Sequence, residues 1–229
     1  MGFIFQDHFQ ISIFDQLPIL PMDFSKVKNI VFDLGGVIIN IDFDKTYQAL
    51  AELSGLSLDE ARQKSKQLEL FINYETGRIE EQDFLNLVKE SFCPNKSDTE
   101  IRQAWNALLM DIPVARINLL KKLKSKYKMF LLSNTNFTHI LEVNNILHKT
   151  CGVEDLKQLF DKVYYSYEIN LLKPHVDIYE FVCKDSGLIP SETVFLDDLP
   201  ANLDGATKAG LNVLHVQEPM NILELLKNA

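Results

Sequence analysis

Four short stretches of this 229-residue chain carry residue types suited to chemistry. Asp33 ends the apolar run Ile30, Val31, Phe32 and is followed by Leu34, Gly35 and Gly36. A carboxylate that emerges from a buried strand, with glycines behind it, can meet a ligand, because glycine lets the backbone come close. Ser133, Asn134, Thr135 and Asn136 follow the second apolar run, Met129 to Leu132. Hydroxyls beside fresh amide N–H groups at a strand-to-helix turn suit phosphate oxygens. The third stretch is the pair Lys173-Pro174, an ammonium ahead of a helix start. In the fourth, Asp197 and Asp198 end the apolar run Val194, Phe195, Leu196, and Asn202 follows. Adjacent carboxylates repel unless a cation relieves them. Each stretch also has an ordinary reading: a turn, a helix N-cap, a solvated lysine, a polar loop.

Charge sharpens these readings. The chain has 32 acidic against 23 basic residues, a formal net charge of −9. It has no basic cluster of the kind that binds nucleic acid, so no nucleic-acid partner is expected. An anionic ligand would need local positive potential from a metal, a helix N-terminus or a single lysine. Hydrophobic residues make up 46% and charged residues 24%, values of an ordinary globular protein. Cys93, Cys151 and Cys183 are far apart and show no pairing motif, which fits reduced thiols. No run approaches the ~20 apolar residues of a membrane span, and no membrane partner is expected.

The elements that position these residues follow from the hydrophobic rhythm. Residues 28–42 open with a buried strand. Residues 43–112 show only helical spacing, as in Ala49, Leu50, Leu53 and Ala61, then Leu68, Leu70, Phe71 and Ile72, with a turn at Gly77 and further stripes to Leu109. They read as a small helical bundle inserted after the first strand. From Pro113 strands and helices alternate, the pattern of a parallel sheet with crossover helices. Strands are expected at 128–133, 162–165, 193–196 and 212–216. Helices are expected at 113–125, 137–149, 175–186, 201–209 and 222–226. The fold class is therefore α/β, with a Rossmann-like parallel sheet in residues 28–42 and 113–229 and a helical domain in 43–112. Residues 1–27 read as an extension, packed on the domain or loose, with Met22 as an alternative start. The basic start of a secretory signal is missing, since the first basic residue is Lys26, and position 6 is Gln6 where myristoylation needs Ser or Thr. A cytoplasmic location is expected.

If right-handed crossovers hold, the four stretches meet at one edge of the sheet. As a set, and in this order, they resemble the haloacid dehalogenase (HAD) superfamily of hydrolases over Lys28 to about Gln217, with the helical cap between the first and second motifs. The closest likeness is to cap-bearing sugar-phosphate phosphatases and to the phosphatase domain joined to some epoxide hydrolases. The resemblance implies that Asp33 is the nucleophile and forms an aspartyl-phosphate that water hydrolyses. It implies Mg²⁺ held by Asp33, the Gly35 carbonyl and Asp198, with Asp197 and Asn202 supporting from behind or reaching the metal through water. Ser133, the Asn134 amide and Lys173 would hold the phosphoryl group, with Lys173 also neutralising Asp33. The substrate would be a small phosphate ester.

Two positions depart from the family pattern. Its phosphatases usually carry a second Asp, the general acid and base, where Gly35 stands; Asn136, Asp42, Glu75 or a metal-bound water are unranked substitutes. Asn170 stands where Gly is common. The runner-up by resemblance is a metal-independent 2-haloacid dehalogenase, which also lacks the second Asp but commonly has Ser at the Asp198 position. A catalytically weak phosphometabolite-binding protein is the third reading. Substrate and oligomeric state are not legible.

Overall fold

Residues Asn29–Phe32 form β1, Lys128–Ser133 β2, Lys162–Tyr165 β3, Thr193–Asp197 β4 and Asn212–His215 β5. All neighbours pair in parallel, in the order β3-β2-β1-β4-β5. The chain steps outward from β1 to β3, then crosses back to β4 on the other side of β1. The carboxyl ends of β1 and β4 thus flank the point where strand order reverses, the usual ligand crevice of such sheets. The computed structural model describes residues 22–67, 69–218 and 220–229. Of the expected extension, residues 1–21 lie outside the described residues, as does Leu68 of the expected stripe.

Strands β1 and β4 are buried on both faces, which is why they read as unbroken apolar runs. Ile30, Phe32, Met129, Leu131, Val194 and Leu196 face one core, closed by Ile117 and Leu120 of α6 (Val114–Leu123) and Val143 and Leu147 of α7 (Phe137–Cys151). The alternate residues Val31, Phe130, Leu132 and Phe195 face the other. There they meet Ile178 and Val182 of α9 (Val176–Ser186) and Leu203 of α10 (Pro200–Lys208).

Between β1 and β2 lie α1 (Phe43–Ser54), α2 (Leu58–Gln67), α3 (Leu70–Glu75), α4 (Glu81–Phe92) and α5 (Asp98–Asn106). They enclose a separate apolar cluster of Leu50, Tyr74, Phe84, Leu85, Val88, Ile101 and Trp105. Local signals start and stop these helices. Ser97 and Glu100 form a reciprocal capping box on α5, and left-handed Gly55 ends α1. The chain enters and leaves this block through two adjacent segments. Ile41 bridges Leu109 antiparallel, and Asp42 N donates to Leu108 O at 2.9 Å.

The expected elements form with small shifts. The helix expected from Pro113 begins at Val114 because Pro113 is its extended N-cap, and α10 takes in Pro200. A four-residue helix, α8 (Ser166–Ile169), was not expected; it is too short to show periodicity. A short last helix, α11 (Ile222–Leu225), lies where one was expected.

Candidate active site

Strand register sets the geometry. Phe32 pairs with Leu131 and Leu196, and Asp33 N donates to Leu196 O at 2.9 Å. Asp33 therefore lies one residue beyond the β1 ladder, beside Asp197 at the end of β4. Ser133, 3% exposed, ends the neighbouring β2. The loop after β3 brings in Lys173, whose side chain is 1% exposed. Its Nζ lies 2.7 Å from Asp33 Oδ1 and 2.7 Å from Asp197 Oδ2. Asp198 completes the group: ligand atoms of Asp33, Asp197 and Asp198 all lie within 4.8 Å of one another. Asp33, Lys173, Asp197 and Asp198 are thus brought together, with Ser133 on the adjoining strand.

Supporting contacts explain why the cluster holds. Asn202 Nδ2 donates to both Asp197 oxygens, at 2.9 and 3.0 Å, and Leu199 N donates to Oδ1 at 2.8 Å. Asp197 is thereby occupied by Lys173, Asn202 and a backbone amide. Asn134 clamps the lysine segment: its Oδ1 accepts from Lys173 N at 3.0 Å and its Nδ2 donates to Lys173 O at 2.9 Å. That side-chain clamp has no signal in the sequence, where Asn134 stands out only for its backbone amide. Gly205 of α10 has a similar part, since a Cβ there would lie 2.2 Å from Pro174 O.

Burial makes the charges costly. Desolvation, reinforced by Asp197 and Asp198, pushes the Asp33 carboxyl up against the pull of Lys173. Burial, with the Asp197 charge adding, pushes Asp198 up to about 6. Desolvation alone would lower Lys173, but the Asp197 and Asp33 charges outweigh it and hold the ammonium protonated. Asp33 and Asp198 retain oxygens not taken by Lys173. A small divalent ion that binds through one or two carboxylates and keeps several waters fits this donor set. The Gly35–Gly36 backbone lies against it, since a Cβ on Gly36 would meet Asp198 Oδ2 at 2.3 Å.

The two departures acquire physical reasons. Asn170 has φ +56°, a left-handed conformation that Gly adopts freely and Asn tolerates. At Gly35 a Cβ would meet Ile41 Cδ1 at 2.9 Å, so the end of the Ile41 side chain would have to shift to admit a second aspartate. Of the three side chains expected as substitutes, two are committed elsewhere. Asn136 caps α7 through Oδ1 to His139 N at 3.0 Å, also accepts from Trp105 Nε1, and donates to His139 Nδ1. Exposed Asp42 caps α1 by accepting from Asp44 N at 3.0 Å. The Glu75 carboxylate has no hydrogen bond or ion pair among the described residues.

The family model described as haloacid dehalogenase-like hydrolase matches residues 27–210. The chain belongs to this family. As a HAD-like hydrolase it is 33% identical over 183 residues to D-ribitol-5-phosphate phosphatase of Bacteroides thetaiotaomicron, covering 77% of this chain and 85% of that one. A HAD family enzyme from Bacteroides thetaiotaomicron, solved in complex with magnesium and inorganic phosphate, superposes with TM-score 0.80 at 32% identity. That match covers 87% of this chain and 98% of the other. The expected likeness to epoxide hydrolases is also present: bifunctional epoxide hydrolase 2 of Rattus norvegicus is 34% identical over 73 residues, 32% of this chain and 13% of that protein. No helix among the described residues is long and apolar enough to cross a membrane.

Proposed function

We propose that this HAD-like hydrolase is a Mg²⁺-dependent phosphatase of small phosphorylated metabolites, acting on a sugar-phosphate-like ester through an aspartyl-phosphate. The observation that carries this reading is the Asp33 carboxylate at the switch point, with Lys173 2.7 Å from one oxygen and Asp198 beside it. The polyol phosphate in the name of the Bacteroides relative supports the substrate class, and the magnesium and phosphate of the structural neighbour support the cofactor.

In this mechanism Ser133, the Asn134 amide and Lys173 hold the phosphoryl oxygens. Asp33 attacks phosphorus, the bond to the ester oxygen breaks, and the departing alkoxide takes a proton from water to leave as the alcohol. Water then cleaves the acyl phosphate, which releases phosphate and regenerates Asp33. Lys173 pulls the Asp33 carboxyl toward its anionic form against desolvation and offsets charge on the equatorial oxygens. Asp197 and Asn202 fix the ammonium in place. Asp33, the Gly35 carbonyl and Asp198 would hold the Mg²⁺, which when bound supplies Lewis-acid polarisation and charge neutralisation at the phosphoryl group. The block 43–112 acts as a cap hinged on the paired segments at Ile41 and Leu109, and its closure excludes water.

Asp198 favours phosphoryl chemistry over metal-free dehalogenation. Without a cation, three clustered carboxylates against one ammonium would repel an anionic substrate. Hydrolysis of a panel of small phosphate esters, with Mg²⁺ or with chelator, tests the proposal. Phosphate release should require the metal, and Asp33→Asn should fold normally and be inactive. Wild-type turnover in that variant, or halide release that ignores chelator, would refute it.

A further inference from the structure

One half-buried acidic group has no part in the chemistry above. Glu75, the last residue of α3, is half-buried, and its carboxylate has no hydrogen-bond or ion-pair partner among the described residues. Desolvation alone pushes it up to about 7. An ionisable group enclosed by protein without a partner is uncommon, because desolvation goes uncompensated until water or a ligand supplies a donor.

The backbone around Glu75 is fixed on the core. The Ser166 hydroxyl accepts from Thr135 N at 2.9 Å and lies 2.6 Å from the Glu75 carbonyl and 3.0 Å from the Thr135 carbonyl. Asn170 Nδ2 donates to Thr76 O at 2.7 Å. Gly77, with φ +68°, packs so closely that a Cβ would meet Tyr167 O at 2.1 Å. The Tyr74 hydroxyl meets Thr138 Oγ1 at 2.5 Å at the start of α7. These contacts seat Glu75 over the segments that follow β2 and β3, beyond Ser133 as seen from Asp33. Neighbouring strands lie ~4.8 Å apart, so counted across the sheet this position is displaced from β1 by roughly one to two strand spacings. That is the span of a several-carbon alcohol whose phosphate sits at Asp33, and it is farther than the leaving oxygen itself.

We propose that Glu75 is a specificity-determining residue that accepts hydrogen bonds from the hydroxyl groups of a polyhydroxylated phosphate ester. This rests on the phosphatase reading and adds the chemistry of the alcohol half. A carboxylate accepts two hydroxyls at once and offers nothing to an alkyl or aryl group. The Tyr47 phenol of α1 is near enough to feel the Glu75 charge.

The test compares Glu75→Gln with wild type on a pentitol phosphate and on phenyl phosphate, which has no hydroxyls. The variant should lose about 10- to 100-fold in kcat/KM on the pentitol ester, mostly through KM, the scale of one or two hydrogen bonds to a charged group. Its constants on phenyl phosphate should stay within about twofold of wild type, far below that scale. Free pentitol should inhibit wild type and not the variant. Equal losses on both esters would place Glu75 in the chemical step and overturn the proposal, and so would no loss on either. If Glu75→Gln does not fold, Glu75→Asp, which keeps the charge but shortens the reach, must show the same selective loss. Failure of wild type to hydrolyse any ester would instead sink the phosphatase reading.

Discussion

Gly36 and Gly55 form a natural pair for separating backbone strain from damage to the site. Both have φ +70°. A Cβ on Gly55 meets nothing within 4 Å, whereas on Gly36 it lies 2.3 Å from Asp198 Oδ2 and 2.7 Å from Asp198 Cγ. The left-handed conformation costs a non-glycine residue about 1–2 kcal/mol, so Gly55→Ala should lose that much in urea unfolding. Gly36→Ala carries the same cost and also pushes Asp198 off its rotamer, which adds ~0.5–1.5 kcal/mol. Its total should be about 1.5–3.5 kcal/mol. Function should suffer more, because restoring ordinary contact moves the carboxylate by ~1 Å, and misplacement on that scale can cost about 100-fold. The assay is phosphate release titrated with Mg²⁺, run beside the unfolding curves. Both variants should be destabilised, and only Gly36→Ala should need much more metal and turn over slowly. If Gly36→Ala matched Gly55→Ala in activity and Mg²⁺ requirement, the placement of Asp198 at the metal would be wrong.

Two further substitutions probe the same cluster. Lys173→Met strands two buried carboxylates that each sit 2.7 Å from the ammonium, and breaking such pairs costs about 3–5 kcal/mol. Thermal unfolding should show a large drop with no turnover, and a near-wild-type midpoint would contradict the buried geometry. Gly35→Asp restores the acid of the usual family pattern but overpacks Ile41, at about 1–3 kcal/mol. Combined with Ile41→Val it should recover stability and raise kcat by about 100-fold, the low end of general acid-base assistance; an unchanged kcat would show that proton transfer does not limit this enzyme.

Much of this was legible because one cause shaped both sequence and structure. β1 and β4 are buried on both faces, so their apolar runs and the carboxylates that end them stand out. The helical block showed itself by spacing, and its boundary at Pro113 by the change of rhythm. Contacts between distant segments were not legible. That Asn134 would clamp Lys173, 39 residues away, depends on how two loops meet, and nothing local marks it. The crowding of a side chain at Gly35 depends on Ile41, six residues on, folding back over it. Asn170 was visible as a departure, but its reason, a positive φ, is a property of the folded loop. Glu75 was named beside Asn136 and Asp42 with nothing in the sequence to rank the three; it stands apart only once the other two are seen to be engaged as helix caps.

The site poses an electrostatic problem that its own residues solve only in part. Asp33, Asp197 and Asp198 face a single ammonium, in a chain whose net charge is already −9. Lys173 lies between Asp33 and Asp197, and Asn202 satisfies both oxygens of Asp197. Asp198 therefore has no cationic side chain within pairing distance among the described residues, and an incoming phosphate would make the imbalance worse. Were the pair at 197 and 198 needed only to anchor Lys173, Asp197 alone would suffice and Asp198 would be a liability, raised to about 6 by burial and by its neighbour. A second carboxylate is an advantage only where a cation arrives with, or before, the substrate. On the proposed reading, Asp198, more than Asp33 or Lys173, is the residue whose presence calls for a cation at this site.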